Sequence, residues 1–377
     1  MANNKQLTTV ELFAGIGGFR IGAEKNKIKT VWANDINSDS VKVYKDNYGE
    51  NSIVQGDINT LIGAVPNHDI LTGGFPCQPF SKAGKKLGIK DYRGTLFESI
   101  VKILERKKPN YFILENVNSL LTMDKGENFK TILTALMGQS YKIEWRVFNA
   151  ESFGLPQHRE RVVILGSRVA DFDQSYFLTK EDLGELDFDT RGRILDFETW
   201  YDIQKINHKF TSWGMAMNNR IIMCNISQKQ YMKKRKIKDI LQKDVDNVYF
   251  FNEDTAERIK DSVYVNKFYN GVQILYNQSG GARMGYSIFG VNGLSPTLTA
   301  STSRHYERYK IDNNFRRLTN VEYARIQGFP DEQCKAMKPY NQYKLYGNAV
   351  PPALVGYAFS RIKNNMNRTI KEIENEL

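Results

Sequence analysis

Short apolar runs alternate with helical stripes along the first 170 residues of the chain. The runs are rich in β-branched residues and predict seven strands, at Thr9–Phe13, Thr30–Ala33, Ser52–Val54, Asp69–Leu71, Tyr111–Leu114, Ile143–Phe148 and Arg161–Leu165. Between them, Leu96–Leu104 and Phe129–Leu136 carry apolar residues at helical spacing. This alternation predicts an α/β fold with a doubly wound, mostly parallel sheet covered by helices on both faces. In such sheets ligands bind beyond the carboxyl ends of the strands.

The pattern changes after Ser167. Residues 171–198 are acidic and irregular, and residues 201–315 are basic and rich in aromatic side chains. Within the second of these segments only Lys229–Lys243 keeps helical spacing, whereas helical spacing returns from Ala349 onward. The change predicts a second, smaller and irregular domain in the middle of the chain.

Composition narrows the class of protein. The 377 residues have a net charge of +11, and residues 201–315 hold 17 basic against 10 acidic side chains. Such an excess suits a polyanionic partner such as nucleic acid, although a solvated basic surface gives the same count. No apolar run approaches the roughly 20 residues of a membrane span, so we expect no membrane partner. Three cysteines without a CxxC pair argue against a disulfide framework or a zinc site, and they favour a reducing compartment.

The first candidate site is the glycine cluster in Glu11–Arg20, between a strand and a helix. Glycines let backbone N–H groups approach a ligand without interference from Cβ, but the spacing lacks the third glycine of a dinucleotide site. Asp35 and Asp57 end the next two predicted strands, where carboxylates can accept hydrogen bonds from ribose or adenine. The arrangement suits an adenosine cofactor without pyrophosphate, such as S-adenosylmethionine. A tight turn with solvated acids remains the alternative.

Further candidates follow later strands. Cys77 lies in a Pro-Cys-Gln-Pro loop flanked by glycines, which favours a nucleophile, whereas Cys224 and Cys334 are expected to be buried small hydrophobes. Glu115 follows four apolar residues, so partial desolvation should raise its pKa and make it a proton donor.

Two arginines complete the candidates. Arg159 and Arg161 alternate on an extended chain and so point the same way, although both could be plain surface charges.

In this order, these segments resemble the motifs of the DNA cytosine-5 methyltransferases of bacterial and phage restriction-modification systems. Two later segments complete the resemblance. They are Arg317-Leu-Thr…Glu322…Arg325…Gln327-Gly-Phe-Pro330, which resembles the family's ninth motif, and Gln342…Gly347-Asn348-Ala-Val350, which resembles its tenth. One departure is Glu11, where an aspartate is usual.

The resemblance implies a mechanism. The Cys77 thiolate would add to C6 of a flipped-out cytosine, and Glu115 would protonate N3 while accepting from the N4 amino group. Arg161 would bind O2, and Arg159 would hold the Cys77 loop and a phosphate. The tenth motif would fold back beside the first, which divides the chain into a discontinuous catalytic domain (1–170 plus 340–377) and a target-recognition domain (171–339).

The resemblance also assigns the remaining site residues. The cofactor S-adenosyl-L-methionine would contact Phe13, Ala14, Gly15, Gly17, Asp35, Ile36, Asp57, Ile58, Pro76, Leu96, Asn348 and Val350. Double-stranded DNA would contact Gln78, Ser81, Lys85, Lys86 and Arg93 near the catalytic loop, and Arg283, Thr297, Arg304 and His305 in the target-recognition domain. No metal is expected. The expected enzyme is a monomer in the bacterial cytosol, with a restriction endonuclease that acts separately.

Three alternatives stay open at this stage. A tRNA cytosine-5 methyltransferase would use the same motifs, although the long basic variable region favours DNA. A catalytically inactive DNA-binding homologue would need Cys77, Glu115 or Arg161 to be missing, and all three are present. A nicotinamide-linked oxidoreductase leaves Cys77 unexplained and needs the absent third glycine.

Overall fold

The computed structural model describes residues 6–76, 96–252, 257, 259, 262–277, 287–300, 307–364 and 369–375. Its strands are β1 Thr8–Leu12, β2 Lys29–Asp35, β3 Val54–Gln55, β4 Ile70–Gly74, β5 Tyr111–Val117, β6 Lys142–Asn149, β7 Glu160–Ser167, β8 Tyr201–Asp202, β9 Trp213–Met217, β10 Arg220–Cys224, β11 Val263–Tyr269, β12 Val272–Asn277, β13 Ser287–Phe289, β14 Arg308–Ile311 and β15 Asn314–Arg316. The α-helices among the described residues are α1 Gly18–Lys25, α2 Ser38–Tyr48, α3 Ile58–Leu61, α4 Leu96–Lys107, α5 Glu127–Met137, α6 Lys180–Glu185, α7 Phe188–Leu195, α8 Asn320–Gln327, α9 Pro339–Asn348, α10 Pro352–Asn364 and α11 Ile370–Glu374.

A ten-stranded sheet forms the larger part of the protein, in the order β3-β2-β1-β4-β5-β7-β6-β9-β10-β8. The pairings from β3 to β5 are parallel, and those from β5 to β8 are antiparallel. Six of the seven predicted strands are confirmed, whereas the third, predicted at Ser52–Val54, shares only Val54 with β3. The α/β class is likewise confirmed.

Alternation along the strands separates the two faces of this sheet. Leu71 and Phe112 pack with α3, α4 and α5 on one face, whereas Ile70 and Tyr111 pack with α1 and α10 on the other. Because side chains alternate along a strand, consecutive apolar residues serve two different cores. This explains why the strands read as continuous apolar runs.

The sheet does not end at residue 170, where the catalytic part was expected to stop. β9 pairs with β6, and the fully buried Trp213 and Met215 belong to the core shared with α1 and α10. The acidic segment before it is held by the buried Glu144, which accepts hydrogen bonds from Ser175, the Tyr176 amide and Trp213. Residues 171–224 therefore pack on the large sheet rather than in a separate unit.

A smaller sheet, β11-β12-β13-β14-β15, lies between residues 263 and 316. Its core continues into α8 and α9 through Tyr323 and Tyr343, whose rings meet edge to face at 4.5 Å. Ile16 and Val43 from the first 50 residues join the same cluster. The smaller unit is therefore packed directly onto the larger one.

The helical spacing of Lys229–Lys243 does not produce an α-helix. The segment contains one 3-10 turn, Ile237–Ile240, whose first backbone N–H groups donate to the carbonyls of Gly293 and Val291. The two buried isoleucines of the turn supply the apolar spacing that suggested a helix. By contrast, the helical pattern predicted from Ala349 onward is confirmed by α10 and α11. Among the described residues, no helix is long and apolar enough to cross a membrane.

Candidate active site

One cavity of about 470 Å³ opens at the carboxyl ends of β1, β2, β4 and β5. It is lined by ten of the sixteen residues that the sequence assigned to catalysis and cofactor binding, namely Phe13, Gly15, Asp35, Ile36, Pro76, Leu96, Glu115, Arg159, Arg161 and Asn348. The cavity volume lies within the range of small-molecule sites. The expected cofactor residues and the expected catalytic residues therefore face a common space.

The turn after β1 forms one end of this cavity. Phe13, Gly15 and Gly17 all have positive φ angles, and Gly17 directly precedes α1. The Gly15 amide donates to Oδ2 of Asp35 at 2.8 Å, and the Asn37 amide donates to Oδ1 at 2.8 Å. Burial raises the pKa of Asp35, and these amide contacts act in the opposite direction. Glycine suits positions 15 and 17 because left-handed backbone is costly for other residues, and Phe13 is the exception that adopts it.

The tenth-motif segment closes over this turn. A Cβ atom on Gly18 would lie 2.2 Å from the carbonyl oxygen of Val350, so only glycine permits the approach. The segment thus returns from the far end of the chain to the glycine turn, as the resemblance implied. Asn348 lines the cavity, whereas Ala14, Gly17 and Val350 support the turn without lining it.

Asp57 and Ile58, also expected to contact the cofactor, are not among the residues that line the cavity. Asp57 is exposed and caps α3, accepting a hydrogen bond from the Asn59 amide at 2.9 Å. Ile58 is buried in the core beneath the sheet. Asp57 follows the end of β3 at Gln55, so their contact with the cofactor stays a prediction.

The opposite end of the cavity contains Glu115 and Arg161. Glu115 lies on β5 between Gly74 of β4 and Val163 of β7, and its Oε1 accepts from Arg161 Nε at 2.9 Å. Burial raises the pKa of Glu115, while the nearby Arg161 and Arg159 guanidinium groups lower it. The arrangement keeps a carboxyl group close to a cation yet raises its proton affinity.

Asn116 connects this carboxyl group to the candidate nucleophile segment. Its side-chain amide donates to the carbonyl of Phe75 at 2.9 Å, two residues before Cys77 in the sequence. Pro76, next to Cys77, lines the cavity. Cys77 itself lies outside the described residues, as do Gln78, Ser81, Lys85, Lys86, Arg93, Arg283, Arg304 and His305. The other two cysteines are free, and burial raises the pKa of each to about 12.

Arg159, expected to hold the Cys77 loop and a phosphate, makes its described hydrogen bonds to backbone carbonyls inside the protein. Its side chain is only 2% exposed, and it donates to the carbonyls of Leu298, Gly347 and Ala349 at 2.8, 3.3 and 3.1 Å. Burial, followed by repulsion from Arg161, lowers its pKa to about 9. The guanidinium group points at backbone carbonyls inside the protein. It therefore stabilises the wall of the cavity.

Thr297, expected to contact DNA, also bonds within the protein. Its hydroxyl group donates to the carbonyl of His158 at 2.6 Å. The sequence analysis missed other lining residues, including Ser40 at the start of α2 and Lys344 one turn before Asn348. Their positions beside assigned residues were the only available signal.

The chain is similar to known proteins in family, in sequence and in fold. Residues 7–364 match the family described as C-5 cytosine-specific DNA methylase. The chain is 34% identical over 371 residues to the Type II methyltransferase M.HaeII of Haemophilus aegyptius, covering 98% of this chain and 96% of the relative. It is also 34% identical over 349 residues to M1.ScrFI of Lactococcus lactis subsp. cremoris, covering 90% and 74%.

Solved structures with a similar fold are more distant in sequence. The Dnmt2 methyltransferase of S. pombe superimposes with a TM-score of 0.63 at 18% identity, over 96% of this chain and all of that one. The methyltransferase EhMeth of Entamoeba histolytica gives a TM-score of 0.62 at 18% identity, over 97% of this chain and all of that one. At this identity the likeness establishes the fold.

Proposed function

The chain belongs to the C-5 cytosine-specific DNA methylases, and on that premise we propose that it methylates a cytosine within a short duplex sequence, with S-adenosyl-L-methionine as cofactor and Cys77 as nucleophile. The observation that carries this proposal is the shared cavity, which joins the Gly15–Asp35 end to the Glu115–Arg161 end. A cofactor and a base bound at the two ends would face each other.

The residues at the glycine turn fit the proposed cofactor. Asp35 accepts one amide N–H at each carboxylate oxygen, and each oxygen keeps lone-pair capacity for a ribose hydroxyl group. The close approach of Gly18 to Val350 leaves the Asn348–Val350 segment directly over the turn. Phe13, Ile36, Pro76 and Leu96 supply apolar lining. When bound, S-adenosylmethionine supplies the electrophilic methyl group.

The protein's own residues would prepare the base. The Cys77 thiolate forms a bond to C6, and the electron pair displaced from the ring is neutralised as N3 takes the proton of the Glu115 carboxyl group. Arg161, 2.9 Å from Glu115, is placed to donate to the O2 atom of the same base. After carbon 5 has gained its methyl group, loss of the C5 proton to a base expels Cys77. The raised pKa of Glu115 favours its role as the proton donor.

The remaining assignments are part of the same proposal. Their Type II names support a role in a restriction-modification system, with a cognate endonuclease that acts separately. We place the enzyme as a monomer in the bacterial cytosol. The family description favours DNA over tRNA as substrate, and the presence of Cys77, Glu115 and Arg161 argues against an inactive homologue. Target recognition is assigned to the smaller sheet and its loops, within residues 171–339. The basic residues Lys85, Lys86, Arg93, Arg283, Arg304 and His305, with Gln78 and Ser81, are proposed to contact DNA.

Two linked measurements test the proposal. Bisulfite sequencing of DNA from cells that express the protein should show 5-methylcytosine at one short sequence. A duplex with 5-fluorocytosine at that position should trap the wild-type protein covalently, because the fluorine cannot leave. Cys77→Ser should abolish trapping, whereas the control Cys224→Ser should retain it. Methylation confined to tRNA, or unchanged trapping by Cys77→Ser, would contradict the proposal.

A further inference from the structure

A chain of buried amide groups runs beneath the cavity wall. Gln157, just before β7, and Gln327, the last residue of α8, are both fully buried. The Leu298 amide donates to Gln157 Oε1 at 3.0 Å, and Gln157 Nε2 donates to Gln327 Oε1 at 3.1 Å. Gln327 Nε2 in turn donates to the carbonyl of Tyr346. Three parts of the fold that are distant in sequence are thus linked through two side chains.

The direction of every bond in this chain is fixed by its two ends. The Tyr346 carbonyl can only accept, so Gln327 must present its NH₂ group there and its oxygen to Gln157. The Leu298 amide can only donate, so Gln157 must present its oxygen there. No rotation of either side-chain amide preserves all three bonds. Gln157 and Gln327 must therefore each supply one hydrogen-bond donor and one acceptor.

The amide chain is reinforced by contacts to the same short segment of the smaller unit. Backbone bonds join His158 N to Ser295 O at 2.9 Å and Ser295 N to Pro156 O at 2.8 Å. Arg159 donates to the carbonyls of both Leu298 and Ala349. A Cβ atom on Gly347 would lie 2.2 Å from the carbonyl oxygen of Thr299. Residues 295–299 are consequently fixed between the segment before β7 and α9.

These contacts meet the active-site cavity at its wall. Arg159, Gly347 and Ala349 line it together with Glu115 and Arg161. A shift of residues 295–298 would therefore change both the cavity wall and the attachment of the smaller sheet. Because catalysis depends on placement to within about 1 Å, such a shift should be visible in turnover.

We propose that Gln157 and Gln327 are positioning residues that hold the smaller, target-reading unit in one register with the active-site cavity. The proposal rests on the proposed function, since it assumes that the cavity is where the target base reacts. Neither glutamine contacts the reacting atoms. They act on the cavity through their hydrogen bonds with the Leu298 amide and the Tyr346 carbonyl.

The variant Gln157→Glu provides the test. Ionised glutamate has no donor for Gln327 Oε1, and rotation of Gln327 only moves the mismatch to the Tyr346 carbonyl. At pH 8 we expect kcat to fall 10- to 100-fold and discrimination against single-mismatch duplexes to weaken at least 5-fold. Protonated glutamate has one donor and one acceptor, as glutamine has. Relative to wild type, kcat should therefore recover as pH falls towards 5.5, while affinity for S-adenosylhomocysteine stays unchanged.

A matched control is available in the smaller sheet. Gln273 is also buried, accepts from the Asn292 amide at 3.1 Å and donates to Asn266 Oδ1 at 3.0 Å. Gln273→Glu should lower thermal stability without the pH-dependent change in kcat. If it reproduces the kinetic defect of Gln157→Glu, general loosening is the cause and the proposal is wrong.

Further outcomes separate failure of the positioning role from failure of the proposed function. Wild-type kcat and discrimination in folded Gln157→Glu at pH 8 would overturn the positioning role while leaving the proposed function intact. If that variant does not fold, Gln157→Met supplies the same comparison, with a 10-fold loss of discrimination expected and wild-type behaviour contradicting the proposal. Absence of cytosine methylation by the wild-type protein would instead reject the proposed function itself.

Discussion

Two arginine–glutamate pairs have similar distances and different surroundings. Arg161 and Glu115 are 2.9 Å apart at the cavity, and Arg316 and Glu322 are 2.7 Å apart in the core beside the smaller sheet. Glu322 accepts four hydrogen bonds, two from Arg316 and one each from the amides of Gln242 and Thr319. Among the described residues, Glu115 accepts only from Arg161. The distance within a pair therefore does not indicate its role.

The difference lies in unused hydrogen-bonding capacity. A fully satisfied buried carboxylate is fixed in one state and contributes to the structure. Glu115 faces a cavity, no group among the described residues donates to its second carboxylate oxygen, and burial raises its pKa. It can therefore hold a proton and pass it to a ligand. We expect substitutions at the two pairs to separate activity from stability.

The largest effect is expected at Glu115. Glu115→Gln removes the proton that N3 must receive while preserving the shape of the side chain, so kcat/KM should fall about 10²- to 10⁴-fold. Steady-state methylation assays on the target duplex measure this directly. The unfolding midpoint and the affinity for S-adenosylhomocysteine should stay close to wild type. Activity within a factor of three of wild type would show that Glu115 is not the proton donor.

The matching substitution in the other pair should act on stability. Glu322→Gln leaves Arg316 buried without its counter-charge, which typically costs about 3–5 kcal/mol of unfolding free energy. Urea unfolding followed by fluorescence provides the measurement. Activity per folded molecule should be preserved. If Glu322→Gln lost turnover without losing stability, the Arg316–Glu322 pair would not be the purely structural one.

A third buried carboxyl group, Glu11, forms no ion pair with an arginine or lysine in the part of the chain that the structure describes. Tyr44 donates to it at 2.8 Å, and burial raises its pKa to about 7. A raised carboxyl pKa stabilises the folded state below pH 4.5, and that stability is lost as pH rises through 7. Between pH 4.5 and 8 the loss from this group should be about 3 kcal/mol.

Glu11→Gln should abolish that pH dependence. The variant should be more stable than wild type at pH 8, because the folded protein no longer contains a buried ionised group. Chemical unfolding at pH 5 and pH 8 gives the comparison. Equal stability of the two proteins at pH 8 would show that Glu11 stays neutral or is well compensated there.

The smallest effect is expected at Asp35, whose two amide bonds leave room for further donors. Asp35→Ala should weaken binding of S-adenosylhomocysteine by about 1–3 kcal/mol in calorimetry, without changing the methylated sequence. Asp57→Ala is the comparison, because Asp57 is the second carboxylate expected at the cofactor, yet it caps α3 and is not among the cavity-lining residues. It should reduce stability by about 1 kcal/mol and leave cofactor affinity unchanged. If Asp57→Ala weakened binding of S-adenosylhomocysteine and Asp35→Ala did not, the adenosine would bind near Asp57 instead.

The sequence by itself determined the α/β class, six of the first seven strands and the placement of Asp35, Glu115 and Arg161 around one edge of the sheet. These features are local, since apolar periodicity defines a strand and residues at the carboxyl ends of parallel strands meet at the same edge. The motif order added the return of Val350 to the glycine turn.

Only the tertiary structure decided the rest. It joined residues 201–224 to the large sheet, directed Arg159 to three carbonyls and linked Gln157 to Gln327 across 170 positions of sequence. It also showed that Glu322 accepts four hydrogen bonds, whereas Glu115 accepts only from Arg161 among the described residues. The physical reason is that the role of a buried polar group depends on which donors and acceptors reach it, and those partners come from distant parts of the chain.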